Sequence, residues 1–144
     1  MRASTLTQTP PADIVVVPAS FTLPPMLTVE ENVVLPLRLA GREPDPAWLR
    51  AVLRTVELDG RAGARPGELS RGEQLRVALA RALATRPATL VVDDLTGVVD
   101  AVTRHGAIQT LRRIAGELGL TVVLTGQDAA EGGLPPRIPG DAAV

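Results

Sequence analysis

A serine followed three residues later by a glutamate stands at the start of an amphipathic segment. Ser70 and Glu73 form an S-x-x-E pattern directly before an apolar repeat, which is typical of a capping box at a helix N-terminus. One interpretation is that the two side chains only satisfy free backbone amides. The same helix end also offers uncovered N–H groups and a positive dipole end, and both suit a phosphate. For a phosphate, Ser70 adds a hydroxyl donor, and Gly72 allows close approach to the backbone.

Two adjacent aspartates form the second candidate group. They are Asp93 and Asp94, and they follow Thr89–Val92, an apolar segment predicted to be a buried strand. A carboxylate at the carboxyl end of such a strand holds phosphate-bound magnesium in P-loop ATPases. An apolar run followed by two acids is, on its own, more often an exposed turn. The next residues, Leu95–Asp100, have the sequence LTGVVD and end in a third aspartate.

Together these segments resemble a known family. Leu69–Leu83 follows the pattern LSxGEQxRVAxARAL, and a short linker separates it from the strand with its terminal acids and from LTGVVD. This order resembles the ATP-binding subunits of ABC transporters, most of all the branch that handles lipoproteins, macrolides and peptides. Phe21–Val33 resembles the region after the family's glutamine loop, and Thr121–Asp128 resembles its switch strand. The resemblance covers about residues 15–128.

The resemblance implies a composite site for ATP and Mg²⁺. In this family the signature motif of one subunit contacts the ATP that the opposite subunit holds. The signature residues that would serve such an ATP are Ser70, Arg71, Gly72, Glu73 and Gln74. Asp93 would hold Mg²⁺ in the Walker B position, and Asp100 would be the aspartate of the D-loop. The implied partners are a second ABC ATP-binding subunit and a membrane-spanning permease, with the chain cytoplasmic and peripheral on the inner face of the cell membrane.

Several positions depart from the family pattern. The chain contains no lysine and no G-x-x-x-x-G-K-[ST] motif, so the P-loop that would cradle the phosphates is expected upstream of the first residue. The catalytic positions fall on Asp94, where the family has glutamate, and on Gln127, where it has histidine. The glutamine-loop position falls on Ala19, and Arg71 replaces the usual glycine of the signature. Little or no ATP hydrolysis by the chain alone is therefore expected.

Three functions are consistent with this pattern. The first is a degenerate ABC subunit, or its C-terminal part, that offers its signature motif to ATP held by a partner. The second is a truncated remnant of an ABC ATPase, or an ABC ATPase whose altered residues still support slow hydrolysis. The third is a non-catalytic docking module. Phe21, Leu23 and Met26 are apolar residues of a predicted surface loop, which fits contact with a permease, and packing against the helical segment is the alternative.

The composition excludes several other classes of protein. The formal net charge is −1, so the basic surface of a nucleic-acid binder is lacking and no nucleic-acid partner is expected. The chain has no cysteine, which rules out disulfides and thiolate metal sites. His105 is the single histidine, and it is predicted to be a solvated residue of a helix. The first residues lack a signal-peptide core, and the apolar runs are too short to span a bilayer.

The predicted fold is a three-layer α/β arrangement, a partial domain of the P-loop-NTPase type. A short parallel sheet would comprise Asp13–Val17, Thr89–Val92 and Thr121–Leu124, because apolar strands alternate with helical segments. Helices starting near Arg71 and Val102 would pack on it, and one edge or face would stay uncovered. The domain would cover residues 13–128, with a small helical subdomain at about 29–86, between a flexible segment 1–12 and a loosely ordered tail 129–144.

Local signals predict where the other helices begin and end. Asp45 followed by Pro46 predicts a helix N-terminus, and Gly119 suits the position just past a helix end. Pro36 is expected to break or kink a helix that begins near Val29.

Overall fold

Strands and helices alternate along the chain. The computed structural model describes residues 14–95 and 99–126, together with the backbone of Arg137–Ile138. Within those residues the elements are β1 (Ile14–Val17), α1 (Val29–Leu39), α2 (Pro46–Thr55), a 3₁₀ turn (Pro66–Glu68), α3 (Arg71–Leu83), β2 (Thr89–Val92), α4 (Ala101–Leu118), β3 (Thr121–Leu124) and β4 (Arg137–Ile138). The predicted flexible segment 1–12 and, apart from β4, the predicted tail lie outside the described residues.

The sheet contains the three predicted strands side by side. The order is β1-β2-β3-β4, and the first three strands are parallel. Ile14 lies opposite Thr89, and Thr89 lies opposite Thr121, so the three carboxyl ends meet at one edge of the sheet. β4 pairs antiparallel with β3 and was not among the predicted strands. A two-residue strand carries too little alternation for sequence reasoning to detect.

The two faces of the sheet differ in burial. Side chains alternate along each strand, and Leu90, Val92, Val122 and Leu124 belong to the face that packs into the core. On the opposite face, Ile14 is 50% exposed and Val16 is 54% exposed. The expectation of an open face therefore agrees with the described part of the chain.

Helix α3 is the element on which most others pack. It contacts α1, α2, α4 and β1, while α4 packs on β3. The segment predicted as a helical subdomain contributes buried residues of α1 and α2 to the same core, among them Val33, Leu37 and Val52. The architecture is therefore a short, mainly parallel sheet with helices packed over it, as predicted for the α/β class.

Two of the predicted helix ends are confirmed in detail. The Asp45 carboxylate accepts a hydrogen bond from the Ala47 amide at 3.0 Å, with Pro46 in the first helical position. Gly119 follows α4 in a left-handed conformation, with φ of 72°, which glycine adopts without strain.

Of the break or kink expected at Pro36, the break does not occur. Helix α1 passes through Pro36 and continues to Leu39. The helix is stabilised on both sides of the proline. Thr28 and Glu31 form a capping box at its start, and Leu37 is buried beyond the proline. A proline removes one backbone donor, and packing on both sides of it outweighs that loss here.

Across the described residues, every helix is either too short or too polar to span a membrane.

Leu79 of α3 provides a test of this core. It is 1% exposed, so Leu79→Ala should lower the free energy of unfolding by about 2–5 kcal/mol through lost burial and a cavity. Leu39→Ala removes the same atoms from a site that is 79% exposed, and it should change the free energy by less than about 0.5 kcal/mol. Urea unfolding followed by circular dichroism measures both values, and equal losses would contradict the placement of α3 at the centre of the core.

Candidate functional site

The start of α3 is closed by a reciprocal capping box. The Ser70 hydroxyl accepts from the Glu73 amide at 3.1 Å, and the Glu73 carboxylate accepts from the Ser70 amide at 2.9 Å. The other carboxylate oxygen of Glu73 pairs with Arg61 at 3.0 Å. The hydrogen bond from the Ser70 amide lowers the pKa of Glu73, and the positive charge of Arg61 adds to the shift. The predicted capping role of Ser70 and Glu73 is confirmed.

Two backbone donors at this helix end remain open. The amides of Arg71 and Gly72 lie in the first turn of α3, where a helix has no internal acceptor for them. Within the described part of the chain, no acceptor bonds either amide. The helix dipole adds positive charge at the same place. An anion could therefore bind here without displacing an existing hydrogen bond.

Gly72 leaves this helix end uncovered. A Cβ built on Gly72 would lie 3.6 Å from the Cγ2 of Thr103, which is an ordinary van der Waals distance. The fold therefore tolerates a side chain at this position. Gly72 itself is half-buried, and its role in a phosphate contact stays a prediction.

Arg71 bridges the helix end and the loop that follows β1. Its guanidinium lies over the Phe21 ring, 4.8 Å from the centroid, and donates to the Gln74 side chain at 3.2 Å. The Gln74 amide donates in turn to the Pro66 carbonyl at 2.8 Å. Both signature residues therefore hold neighbouring segments in place, and Arg71 remains exposed to solvent.

The three proposed docking residues lie in different environments. Phe21 is 7% exposed and belongs to the core, Leu23 is half-buried against it, and Met26 is 77% exposed. Phe21 therefore packs in the core, which was the alternative to a docking role. Met26 is the residue of the three that presents an apolar surface to solvent.

Asp93 and Asp94 lie at the carboxyl edge of the sheet, as predicted. The Asp93 amide donates to the Val17 carbonyl at 3.0 Å, and its carboxylate accepts from the Thr125 hydroxyl at 3.3 Å. Gly126 lies directly against Asp94: a Cβ added there would be 2.6 Å from the Asp94 carboxylate, and its φ is 69°. A side chain at Gly126 would therefore displace Asp94. Gln127, the other predicted catalytic position, lies outside the described residues.

Asp100 caps the helix after the acidic turn. Its carboxylate accepts from the Thr103 amide at 2.7 Å, and this bond lowers the pKa of Asp100. Because Thr103 and Gly72 line the same cavity, the starts of α3 and α4 lie side by side. The fold thus brings the signature residues close to Asp100, while Asp93 and Asp94 form a second group at the end of β2.

The acidic group alone does not make a metal site. Among the residues that the structure describes, no three His, Cys, Asp or Glu side chains are grouped to hold an ion. The carboxylate of Asp93 fits Mg²⁺ as one ligand, and phosphate oxygens and water complete such a shell in nucleotide sites. Thr125 and Gly126 were missed by sequence reasoning, although the T-G pair that follows β3 is a turn signal.

Two further positions are as expected from the sequence. Ala19 occupies a turn after β1 and brings no polar side chain to the sheet edge. His105 is exposed on α4, as predicted for a solvated residue.

Comparison with known proteins finds a family model and relatives that match much of the chain. The family model described as ABC transporter matches residues 3–97. The chain is 43% identical over 122 residues to the lipoprotein-releasing system ATP-binding protein LolD of Myxococcus xanthus, which covers 83% of this chain and 54% of that protein. It is 38% identical over 111 residues to the ABC transporter ATP-binding protein YtrE of Bacillus subtilis, which covers 76% of this chain and 48% of that protein. The chain thus spans about half the length of these curated relatives.

Solved structures show the same likeness. The dimeric structure of MJ0796, a bacterial ABC transporter cassette, superposes with a TM-score of 0.67 at 34% identity, covering 97% of this chain and 63% of that one. A dimeric post-hydrolysis state of the cassette MJ0796, bound to ADP and Pi, gives a TM-score of 0.61 at 35% identity, covering 86% of this chain and 56% of that one.

The capping box makes a testable contribution to the pH dependence of stability. Because the pKa of Glu73 is lower in the folded chain, its contribution is present above the unfolded-state pKa of about 4.3 and is lost as the pH falls through the folded-state value. Glu73→Gln keeps an acceptor for the Ser70 amide but does not titrate. When the pH is lowered from about 5 to about 2, the free energy of unfolding of the Glu73→Gln variant should therefore fall less than that of the unmodified chain.

Urea unfolding at a series of pH values measures this difference. Capping hydrogen bonds also lower the pKa values of Asp45 and Asp100. The stability of the variant should therefore still depend on pH, but less strongly. Identical pH profiles for the two proteins would show that the Glu73 carboxylate contributes nothing as an anion.

Proposed function

Because this chain belongs to the ABC transporter family and matches its ATP-binding subunits, we propose that it supplies the signature half of a composite nucleotide site. In this proposal a partner subunit holds ATP through its own P-loop, and the start of α3 contacts the phosphates from the opposite side. The observation that carries the proposal is the open helix end, where no acceptor within the described residues bonds the amides of Arg71 and Gly72.

Several side chains that a complete nucleotide site needs are missing from the 144 residues, which supports division of the site between two subunits. They include no lysine and no P-loop motif, so the charge that would bind the β- and γ-phosphates has to come from elsewhere. Asp94 would occupy the catalytic position, with a side chain one methylene shorter than that of glutamate. Gln127 would occupy the histidine position, and its amide cannot carry a positive charge. Misplacement by about 1 Å can lower a rate 100-fold. Little or no hydrolysis by this chain alone follows.

Arg71 adds a chain-specific contact to the proposed site. Its guanidinium lies over the Phe21 ring, at the helix end that would face the phosphates. A charge-assisted bond to a phosphate oxygen is stronger than the exposed contact with Gln74. Asp93 would contribute one ligand to the Mg²⁺ of the nucleotide, and Asp100 would lie beside the signature at the subunit boundary.

The proposed partners are a second ATP-binding subunit and a permease. The structures of MJ0796 are dimeric, and one of them contains ADP and Pi, which supports a paired arrangement for this chain. Both subunits would act at the cytoplasmic face of the membrane, where the permease selects the transported substrate.

A substitution at Gly72 can test the nucleotide contact without disturbing the fold. Gly72→Asp should leave the fold intact, since space exists for a Cβ and an acid is favourable in the first turn of a helix. The new carboxylate would repel a phosphate at the same point. MgATP-dependent association with a P-loop-bearing cassette, measured by analytical ultracentrifugation, should therefore weaken by about tenfold or more, given that one charge-assisted hydrogen bond contributes about 1.5–3 kcal/mol.

Gly72→Ala is the matched control for that experiment. It adds a Cβ without charge and should retain most of the association. Equal association of Gly72→Asp and the unmodified chain would exclude phosphate contact at the start of α3.

A docking role is the second candidate function, and the exposure of Met26 favours it. The next residue in the chain, Leu27, lines a groove of about 510 Å³ along α1, together with the apolar Val34 and Leu35 and charged residues of the same helix. An exposed apolar residue that precedes such a groove in the chain is a reasonable contact for a membrane subunit.

Met26→Glu tests this second role. It should reduce co-purification with a co-expressed permease, whereas Val102→Glu, at a residue of α4 that is 82% exposed, should not. Undiminished recovery of the Met26→Glu protein would remove Met26 from the contact surface.

A further inference from the structure

Glu57 adopts an unusual backbone conformation just after α2. Its φ is 62°, in the left-handed region that residues with a side chain rarely occupy. Among the described residues, Arg86 is the one other non-glycine residue with positive φ, at 57°. Such strain persists only where surrounding contacts favour it. Here the ending of α2 favours it, since the Leu58 amide donates to the Leu53 carbonyl at 2.8 Å across the left-handed residue. The Glu57 side chain then makes contacts of its own with α3 and α4.

The Glu57 carboxylate joins two helices. One oxygen lies 3.5 Å from the Arg76 guanidinium on α3, and the other lies 2.6 Å from the Arg113 guanidinium on α4. Arg113 also pairs with Glu117 at 3.4 Å, and Glu117 accepts from the Thr55 hydroxyl of α2 at 3.2 Å. A single exposed ion pair contributes little, but a network that spans three helices restrains their relative placement.

The interface beside this network is loosely packed. A cavity of about 140 Å³ lies between α3 and α4, lined by Gly72, Thr103 and Gly106 among others. Arg76 also lines it, and the buried Nε of Arg76 has no hydrogen-bond partner in the part of the chain that the structure describes. The cavity is a gap in the packing between the two helices, although the buried Leu75 and Ala107 also line it. The charged network adds a restraint on the two helices beside this gap.

We propose that Glu57 is a positioning residue that fixes the signature end of α3 against α4. By holding Arg76 and Arg113 together, it sets the separation between the open amides near Gly72 and the D-loop residue Asp100. The consequence for nucleotide contact rests on the proposed function, whereas the positioning itself does not.

Spin-label distance measurements on the chain test the positioning directly. The chain has no cysteine, so Gly67→Cys and Val102→Cys give two unique labelling sites. An added Cβ at Gly67 meets nothing within 4 Å, and Val102 is 82% exposed, so the labels should not disturb the fold. They report the separation between the starts of α3 and α4. Glu57→Gly should shift the mean distance by about 1–2 Å or more, the scale of helix movements at interfaces, and should broaden the distribution.

Arg86→Gly is the matched control. It also relieves a left-handed conformation and removes an ion pair, the 2.7 Å contact with Asp45, but it lies beyond the far end of α3. It should leave the distance distribution unchanged. Arg113→Gln opens the network from the α4 side and should reproduce the effect of Glu57→Gly. An unchanged distribution in both Glu57→Gly and Arg113→Gln, with folding retained by circular dichroism, would overturn the proposal.

A second measurement connects the positioning to nucleotide contact. With a P-loop-bearing cassette and MgATP, Glu57→Gly should weaken association by about tenfold, because small displacements are costly in a composite site, whereas Arg86→Gly should not. An altered distance together with unchanged association would overturn the link to the site. If the unmodified chain fails to associate at all, the proposed function fails, and the distance measurement alone decides on the role of Glu57.

Discussion

The unpaired backbone amides at the start of α3 are the constraint on which the rest of the site depends. A helix begins with donors that have no internal acceptor, and each must find a partner or remain open to solvent. Ser70 and Glu73 satisfy two of these positions reciprocally, and Arg61 holds Glu73 in place. Among the described residues, nothing accepts from the remaining donors, the amides of Arg71 and Gly72. The capping box therefore stabilises the helix and at the same time determines which amides are left for an anion.

The surrounding fold determines where that helix end lies. Helix α3 packs on α1, α2, α4 and β1, so its start is fixed relative to the sheet by the core. The start of α4, capped by Asp100, lies beside it, since Gly72 and Thr103 line the same cavity. Asp93 and Asp94 lie at the end of β2 and form a separate group. This separation is consistent with a site whose two halves come from different subunits.

Local structure was largely predictable from the sequence. The capping box at Ser70, the cap at Asp45 and the left-handed Gly119 depend on neighbouring residues, and the strands Thr89–Val92 and Thr121–Leu124 depend on short apolar runs. The predicted break at Pro36 does not occur, because tertiary packing of the helix outweighs the effect of the proline.

Contacts between distant segments could not be predicted. The stacking of Arg71 on Phe21, the bridge from Glu57 to two helices and the pairing of β4 join residues that lie far apart in the chain. No local pattern specifies such contacts, since they form only when the core brings the segments together. The same applies to the environment of Met26 and Phe21, which belong to one loop but differ completely in burial.

In the proposed function, this chain contacts the phosphates of an ATP that it does not hold by itself. Equilibrium binding of a fluorescent ATP analogue, with Mg²⁺ and measured by anisotropy, tests this division of the site. We expect no saturable binding to the chain alone and tighter binding to a P-loop-bearing cassette when the chain is added. Saturable binding of the nucleotide to the chain alone would contradict it.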